Sequence, residues 1–435
     1  MIEKTIYFSV AMSFFAARLF SLNLGYFQLS PFRLSILFLM LYVILTSLKS
    51  PSSTKIIPKS DNRYSVNFML FWLSYSLISI IWVKDYTSAI RDIYFIFSGV
   101  ICAVVFSMYL KSKRQFWIVF NIMQMMVIFH NIVGWYEVIT RDYRFISKEN
   151  LLFYSTTDQR IPISLLGNPN DFATLALLGL SVALTCLHIN KSIWFKLLSI
   201  LLIFSNVILI VLSLSRANIL GMFVLFALYL LLSRKTRVRV MVGVGLIICA
   251  FIFAFSPSTY NDVIYFLSKL FSFNVSTHTW YLNSESVRIN LIRNGLFFLM
   301  KTFGLGTGVG NITYWMNNYA LYYTAGVTNI HNWWFEILTG YGVFVFIFYI
   351  IFYFNIFKDT INIYKNTESD FDKNIAFGIL LFMTAFIIAS ISSSSNISNE
   401  WLWVYWGTVI AFQGYALDNI RFKVKKLKDN LNNMK

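Results

Sequence analysis

Apolar runs of about 20 residues recur along the chain from end to end, which is the length an α-helix needs to cross the hydrocarbon core of a bilayer. No separate soluble domain fits between them. Hydrophobic residues make up 57% of the 435 and charged residues 13%, about half the charged fraction of an ordinary soluble domain. The runs predict helices near residues 5–26, 31–48, 65–83, 90–110, 115–138, 168–188, 193–213, 217–233, 238–256, 331–355, 374–393 and 399–417. The expected fold is all-α and polytopic, with about 12 transmembrane helices and a large extracytoplasmic loop between the ninth and tenth. Residues 1–256 carry the first nine helices, 257–330 the loop with its amphipathic helices, 331–418 the last three, and 419–435 a basic tail.

The formal charge of +17 sits in short clusters between apolar runs. No single basic surface forms, so nucleic acid is not the expected partner. With the N-terminus cytoplasmic, the loops facing inward contain Lys49 to Arg63, Lys111-Ser112-Lys113-Arg114, Arg234 to Arg239 and the tail from Arg421. That distribution follows the positive-inside rule and returns the C-terminus to the cytoplasm. Residues from Met1 enter an apolar stretch without a small-residue cleavage site, which reads as an uncleaved first span. Cys102, Cys186 and Cys249 each lie inside an apolar run, and neither a disulfide framework nor a metal site is expected from them.

Two outer loops are long, roughly 139–167 and 257–330, and long loops in compact proteins carry function or disorder. The second contains short runs such as residues 263–267 and 291–300, suited to helices lying on the membrane surface. Trp333-Trp334-Phe335 and the Trp401 to Trp406 segment read as interfacial anchors.

Candidate chemistry gathers at the outer face. Arg216, in Ser215-Arg216-Ala217, lies in a short turn between two helices, where a guanidinium meets lipid phosphate or simply snorkels. Arg288 and Arg293 stand five apart in the large loop, ahead of Gly304-Leu305-Gly306-Thr307-Gly308-Val309-Gly310-Asn311. Such a glycine run is either a flexible turn or a backbone cradle for an anion. It is not a nucleotide P-loop, since no Lys-Ser/Thr pair follows. His331, at the junction of loop and helix, is a candidate base whose neutral imidazole accepts a proton from a sugar hydroxyl. Gly167-Asn168-Pro169-Asn170 opens a helix, with Asn168 and Asn170 as caps or as ligands for sugar hydroxyls. His130, His188 and His278 show no zinc spacing.

In this order, Gly167-Asn168-Pro169-Asn170, Ser215-Arg216-Ala217, the Arg288 to Asn311 segment and His331-Asn332 with Gly342 resemble the O-antigen ligase and polymerase family of bacterial envelope glycan assembly. The resemblance covers most of the chain from about residue 90. It implies a metal-independent, inverting glycosyltransferase without a cofactor, whose donor is an oligosaccharide on undecaprenyl diphosphate. Arg216 and Arg288 would bind the diphosphate and stabilise its departure, and His331 would deprotonate the acceptor hydroxyl. Arg293, Arg160 and Arg33 would be auxiliary contacts, with Arg18 and Arg33 alternatively snorkelling. Glu400 would orient the base or simply stabilise a helix N-terminus.

The expected setting is the bacterial inner membrane with both termini cytoplasmic. Expected partners are the lipid-linked oligosaccharide, a glycan acceptor, membrane lipid, and the flippase and chain-length regulator of the same pathway. Val345 stands where the ligase signature has a small or hydroxyl residue, which favours a polymerase over a ligase. A transporter or flippase of lipid-linked glycan is the alternative of another class. It predicts repeated halves and charges lining a central path, whereas no internal repeat is seen here.

Overall fold

The computed structural model describes residues 1–15, 19–23, 28–49, 63–145, 160–232, 284–393 and 395–432. The predicted span at 238–256, the run at 263–267, Arg18, His278 and Cys249 lie outside the described residues. The protein is an all-α polytopic membrane protein. Seven of its described helices are long and apolar enough to cross a membrane, judged by length and composition.

The helices are α1 (Ile2–Met12), α2 (Pro31–Lys49), α3 (Arg63–Ser79), α4 (Tyr86–Tyr109), α5 (Lys113–Thr140), α6 (Pro169–Ile189), α7 (Ile193–Leu212) and α8 (Arg216–Leu232). After the undescribed stretch come α9 (Ser284–Lys301), α10 (Ile312–Tyr319), α11 (Trp333–Asn366), α12 (Asp370–Ala389) and α13 (Glu400–Asn432). Their starts are written in cap residues. Asp85 accepts from Ser88 N–H, Ser112 and Gln115 form a capping box, Asn168 precedes Pro169, and Ser369 accepts from Asp372 N–H. Each side chain satisfies an amide that the first helical turn leaves unpaired.

The first span departs from the expectation of one helix over 5–26, because α1 ends at Met12. Ser13 Oγ donates to the Val10 carbonyl, and the Phe14 carbonyl lies 2.8 Å from His130 Nε2. A carbonyl only accepts, so Nε2 carries the proton and Nδ1 accepts from the Ser164 hydroxyl, 2.9 Å away. Beyond α1, β1 (Leu22–Asn23) pairs antiparallel with β2 (Gln28–Leu29), Leu22 opposite Leu29. Apolar count alone does not distinguish such a pairing from a helix. The run at 291–300 lies within α9, α10 was not expected, and α11 runs to Asn366, well beyond residue 355.

Basic turns collect at one end of the bundle. Lys111 lies within electrostatic reach of Asp418 and Lys113 of Asp372, and Lys423 pairs with Glu368. The starts of α2, α4, α6, α8, α11 and α13 gather at the other end.

Of the tryptophans expected at the membrane interface, Trp334 is partly buried and the others are core residues instead. Trp333, Trp401, Trp403 and Trp406 are buried. Trp72 meets Trp333, Tyr341, Tyr349 and Trp403 with ring centroids 5.4–6.2 Å apart, in the tilted and edge-on arrangements that aromatic quadrupoles favour. Packing between helix ends outcompetes the interface for these rings.

Candidate active site

Asn332 caps α11, its side-chain oxygen accepting from the Trp334 and Phe335 amides at 3.1 and 3.3 Å. His331, just before the cap, adopts a left-handed backbone conformation with φ 53°, uncommon for a residue with a side chain though less so for histidine. The Trp333 amide donates to the Ser390 carbonyl at 2.9 Å, fixing this junction against the end of α12. Nδ1 of His331 is buried without a hydrogen-bond partner among the described residues. Burial, and then the charge of Arg288, push the imidazole down to about 4. The ring is therefore neutral near neutral pH, the state a proton acceptor needs.

Arg216 opens α8, partly buried. The Ser215 hydroxyl lies 3.3 Å from that of Ser392. Asn218 donates to Ser215 Oγ at 2.8 Å and to the Asn170 carbonyl at 3.2 Å, and Thr174 Oγ1 lies 3.2 Å from Ser393 Oγ. Three motifs far apart in sequence thus converge on one turn: Ser215-Arg216 and Asn170 through Ser392 and Ser393, and His331-Asn332 through Ser390. Asn168 is a helix cap, its side chain accepting from Asn170 N–H at 2.8 Å.

The glycine run is neither a flexible turn nor an anion cradle. Gly304, Gly306, Gly308 and Gly310 all have positive φ, as does Gly342 at a kink inside α11. Thr307 N–H donates to the Thr339 carbonyl at 2.8 Å, Gly308 N–H to Gly340 at 3.0 Å, and Val343 N–H to Gly304 at 2.9 Å. In an unbroken helix Val343 would have bonded to Thr339. The inserted loop takes over both groups of that bond, which leaves neither unsatisfied at the kink. On the other side, Tyr75 and Trp82 donate to the Leu305 and Gly306 carbonyls, and Asn311 Oδ1 accepts from the Lys84 and Asp85 amides. The run is a clasp between α11 and the α3–α4 turn, with its amides committed to protein.

Beside this seam lies a polar cavity of about 650 Å³, lined among others by Arg33, Arg91, Asp92, Glu336, Tyr341 and Glu400. Arg33 does not snorkel. Its Nε donates to Glu400 Oε1 at 3.0 Å and Nη1 to the Gln28 carbonyl at 2.6 Å, and its guanidinium lies 5.3 and 5.4 Å from the Tyr94 and Phe95 rings. Glu400 therefore faces Arg33 across the cavity wall, and it does not orient His331 through any contact described. Arg91 pairs with Asp92 at 3.1 Å, and Glu336 accepts from Ser395 Oγ at 2.6 Å.

Arg293 is exposed, its guanidinium 5.6 Å from the Tyr322 ring. Five residues of helix carry it about 140° round from Arg288, so the two do not share a face. Arg160 is exposed. Val345 is fully buried, so the residue that departs from the ligase signature is a packing position. Among the described residues no group of three or more His, Cys, Asp and Glu side chains is placed to hold a metal ion.

Glu336, Asp92, Arg91 and the serine-rich turn 390–399 were not singled out in sequence. The three ionisable residues had a signal: such a residue inside a spanning helix is a functional candidate by default, and Glu336 is the fourth residue of α11.

Residues 198–350, which span α7 to the first half of α11, match the family model described as O-antigen ligase. The chain is also 27% identical over 412 residues to the teichuronic acid biosynthesis protein TuaE of Bacillus subtilis (strain 168), covering 93% of this chain and 83% of that protein. The chain is thus similar to the O-antigen ligase model over these residues and to a teichuronic acid biosynthesis protein over most of its length, in line with the resemblance that its motifs carry.

Proposed function

We propose that this chain, an O-antigen ligase/polymerase-like membrane protein of polysaccharide biosynthesis, is a polymerase that joins oligosaccharide repeat units carried on undecaprenyl diphosphate. The observation that carries the reading is the placement of His331 within the field of Arg288, with Arg216 tied to the same turn 390–392. In this scheme the acceptor hydroxyl gives its proton to His331 while its oxygen attacks the anomeric carbon. The carbon–oxygen bond to the diphosphate breaks with inversion, and the electron pair leaves on the phosphate oxygen. Arg216 and Arg288 hold that charge through bonds that strengthen as it develops. Two guanidiniums perform the neutralisation, and no metal ion or cofactor takes part in the scheme.

Burial is the larger cause of the low basicity of His331 and persists with donor bound, and the Arg288 charge is the smaller one. A bound diphosphate offsets the Arg288 charge that helps hold the imidazole down, so the base strengthens when the donor arrives. The reaction takes place at the extracytoplasmic face of a bacterial inner membrane, opposite the basic turns and both termini, across about 12 spans. A flippase and a chain-length regulator of the same pathway are the expected neighbours. Transfer of finished glycan to another acceptor, as in a ligase, uses the same donor site.

Surface glycan length and lipid-linked oligosaccharide, measured in cells lacking the chain and complemented with wild type, Arg216→Ala, Arg288→Ala or His331→Ala, test the proposal. Single repeat units with loss of polymer mark a polymerase. Full-length polymer stranded on the carrier marks a ligase, and unchanged glycan in all strains refutes the family chemistry.

A further inference from the structure

The cavity has a chemistry of its own. Its two guanidiniums are each paired with a carboxylate, Arg33 with Glu400 and Arg91 with Asp92. Glu336 adds a third carboxyl group, so each guanidinium of the wall already has a partner within the protein and neither meets a diphosphate alone. The wall does offer hydrogen-bonding atoms without partners. Glu400 Oε2 and the Tyr341 hydroxyl are buried and unbonded among the described residues, on residues each 2% exposed, and both residues line the cavity. Buried polar atoms left unpaired cost free energy that a ligand hydroxyl recovers. Phe95 and the Tyr341 ring add apolar surface to the same wall. The volume is within the range of about 300–1,000 Å³ usual for small-molecule sites. The cavity also borders the proposed base: Ile330 and Glu336, on either side of His331, both line it.

We infer that this cavity is a subsite for the hydroxyls of an uncharged pyranose, read by Glu400 and Tyr341, while the diphosphate is held apart from it by Arg216 and Arg288. The inference rests on the proposed glycan reaction and adds where the sugar, as opposed to the leaving group, is recognised. Glu400 is a specificity residue here: its Oε1 is anchored by Arg33, which aims Oε2 at a ligand donor.

The test uses the full chain in detergent. The probe is the free repeat-unit oligosaccharide released by mild acid from the lipid-linked pool of the same cells, with affinity measured by calorimetry. Wild type is expected to bind it, with affinity insensitive to salt and not competed by inorganic pyrophosphate. Tyr341→Phe, which removes one hydroxyl and no volume, weakens binding about tenfold, and Glu400→Gln by about ten- to a hundredfold. Tyr341→Phe decides the matter alone should Glu400→Gln fail to fold. No binding by wild type, unchanged affinity in Tyr341→Phe, displacement by pyrophosphate, or an affinity that falls with salt as an ion pair's does each overturns the subsite. Failure of the underlying reaction shows elsewhere, as unchanged glycan in the Arg216→Ala, Arg288→Ala and His331→Ala strains.

Discussion

Gly306 and Gly342 meet backbone to backbone: a Cβ built on Gly306 would lie 2.6 Å from the Gly342 nitrogen, and one on Gly342 would lie 2.4 Å from the Gly304 carbonyl oxygen. Both residues have φ of +81°. The contact holds the kink of α11, and the kink sets how the segment carrying Glu336 and Tyr341 is angled on the rest of the helix.

Gly306→Ala and Gly342→Ala are each expected to destabilise the protein by roughly 2–5 kcal/mol, combining left-handed backbone strain with a clash against main chain that cannot turn aside. Thermal unfolding in detergent checks this. Gly326→Ala is the control, because a Cβ there meets nothing within 4 Å and carries only the strain of its φ of +79°. A melt for Gly306→Ala no lower than that of Gly326→Ala would remove the clasp from the account.

Arg33 and Glu400 form a buried pair, with side chains 9% and 1% exposed. Removing one partner strands the other charge, so Arg33→Ala should cost about 3–5 kcal/mol, whereas the double change Arg33→Met with Glu400→Leu should recover most of that loss. A double-mutant cycle on melting temperatures measures the coupling. Additive effects would show that the pair is not coupled.

His331 makes stability depend on pH in a stated direction. Its folded-state value of about 4 lies below the ordinary 6.5, so between those values the unfolded chain takes up a proton that the folded chain does not. The contribution is complete above pH 6.5 and is lost as pH falls toward 4, by on the order of 3 kcal/mol. His331→Gln should flatten this part of the stability curve. Arg288→Ala should shrink it only partly, since burial is the larger cause and stays in place. Equal slopes in wild type and His331→Gln would mean that the ring is not buried neutral.

Much of the architecture was legible in the sequence because crossing a bilayer imposes a length and a composition that can be counted. The helices beginning at Pro31, Tyr86, Lys113, Pro169 and Ile193 follow from apolar runs bounded by cap residues and turns, since each backbone amide there has to be paired within its own helix. The first span was overcounted for the same reason: hydropathy does not register that the Phe14 carbonyl is taken by His130, a bond between residues 116 positions apart. The charged turn at Lys111 to Arg114 and the basic stretch from Arg421, which continues α13 to Asn432, are likewise read directly from the sequence, because charge is counted locally.

The candidate residues Arg216, Arg288 and His331 were visible as types in a pattern, but their relation to one another was not. The sequence determined a helical membrane protein with basic turns at one end and a set of polar motifs at the other. Only the tertiary structure decided that Ser390 and Ser392 are the turn on which those motifs meet, that the Thr307 and Gly308 amides are spent on α11, and that Arg33 is paired with Glu400 from 367 positions away. The physical reason is that helix formation is local, whereas the partner of a buried charge or of an orphaned backbone group is whichever residue the packing of distant helices brings within about 3 Å.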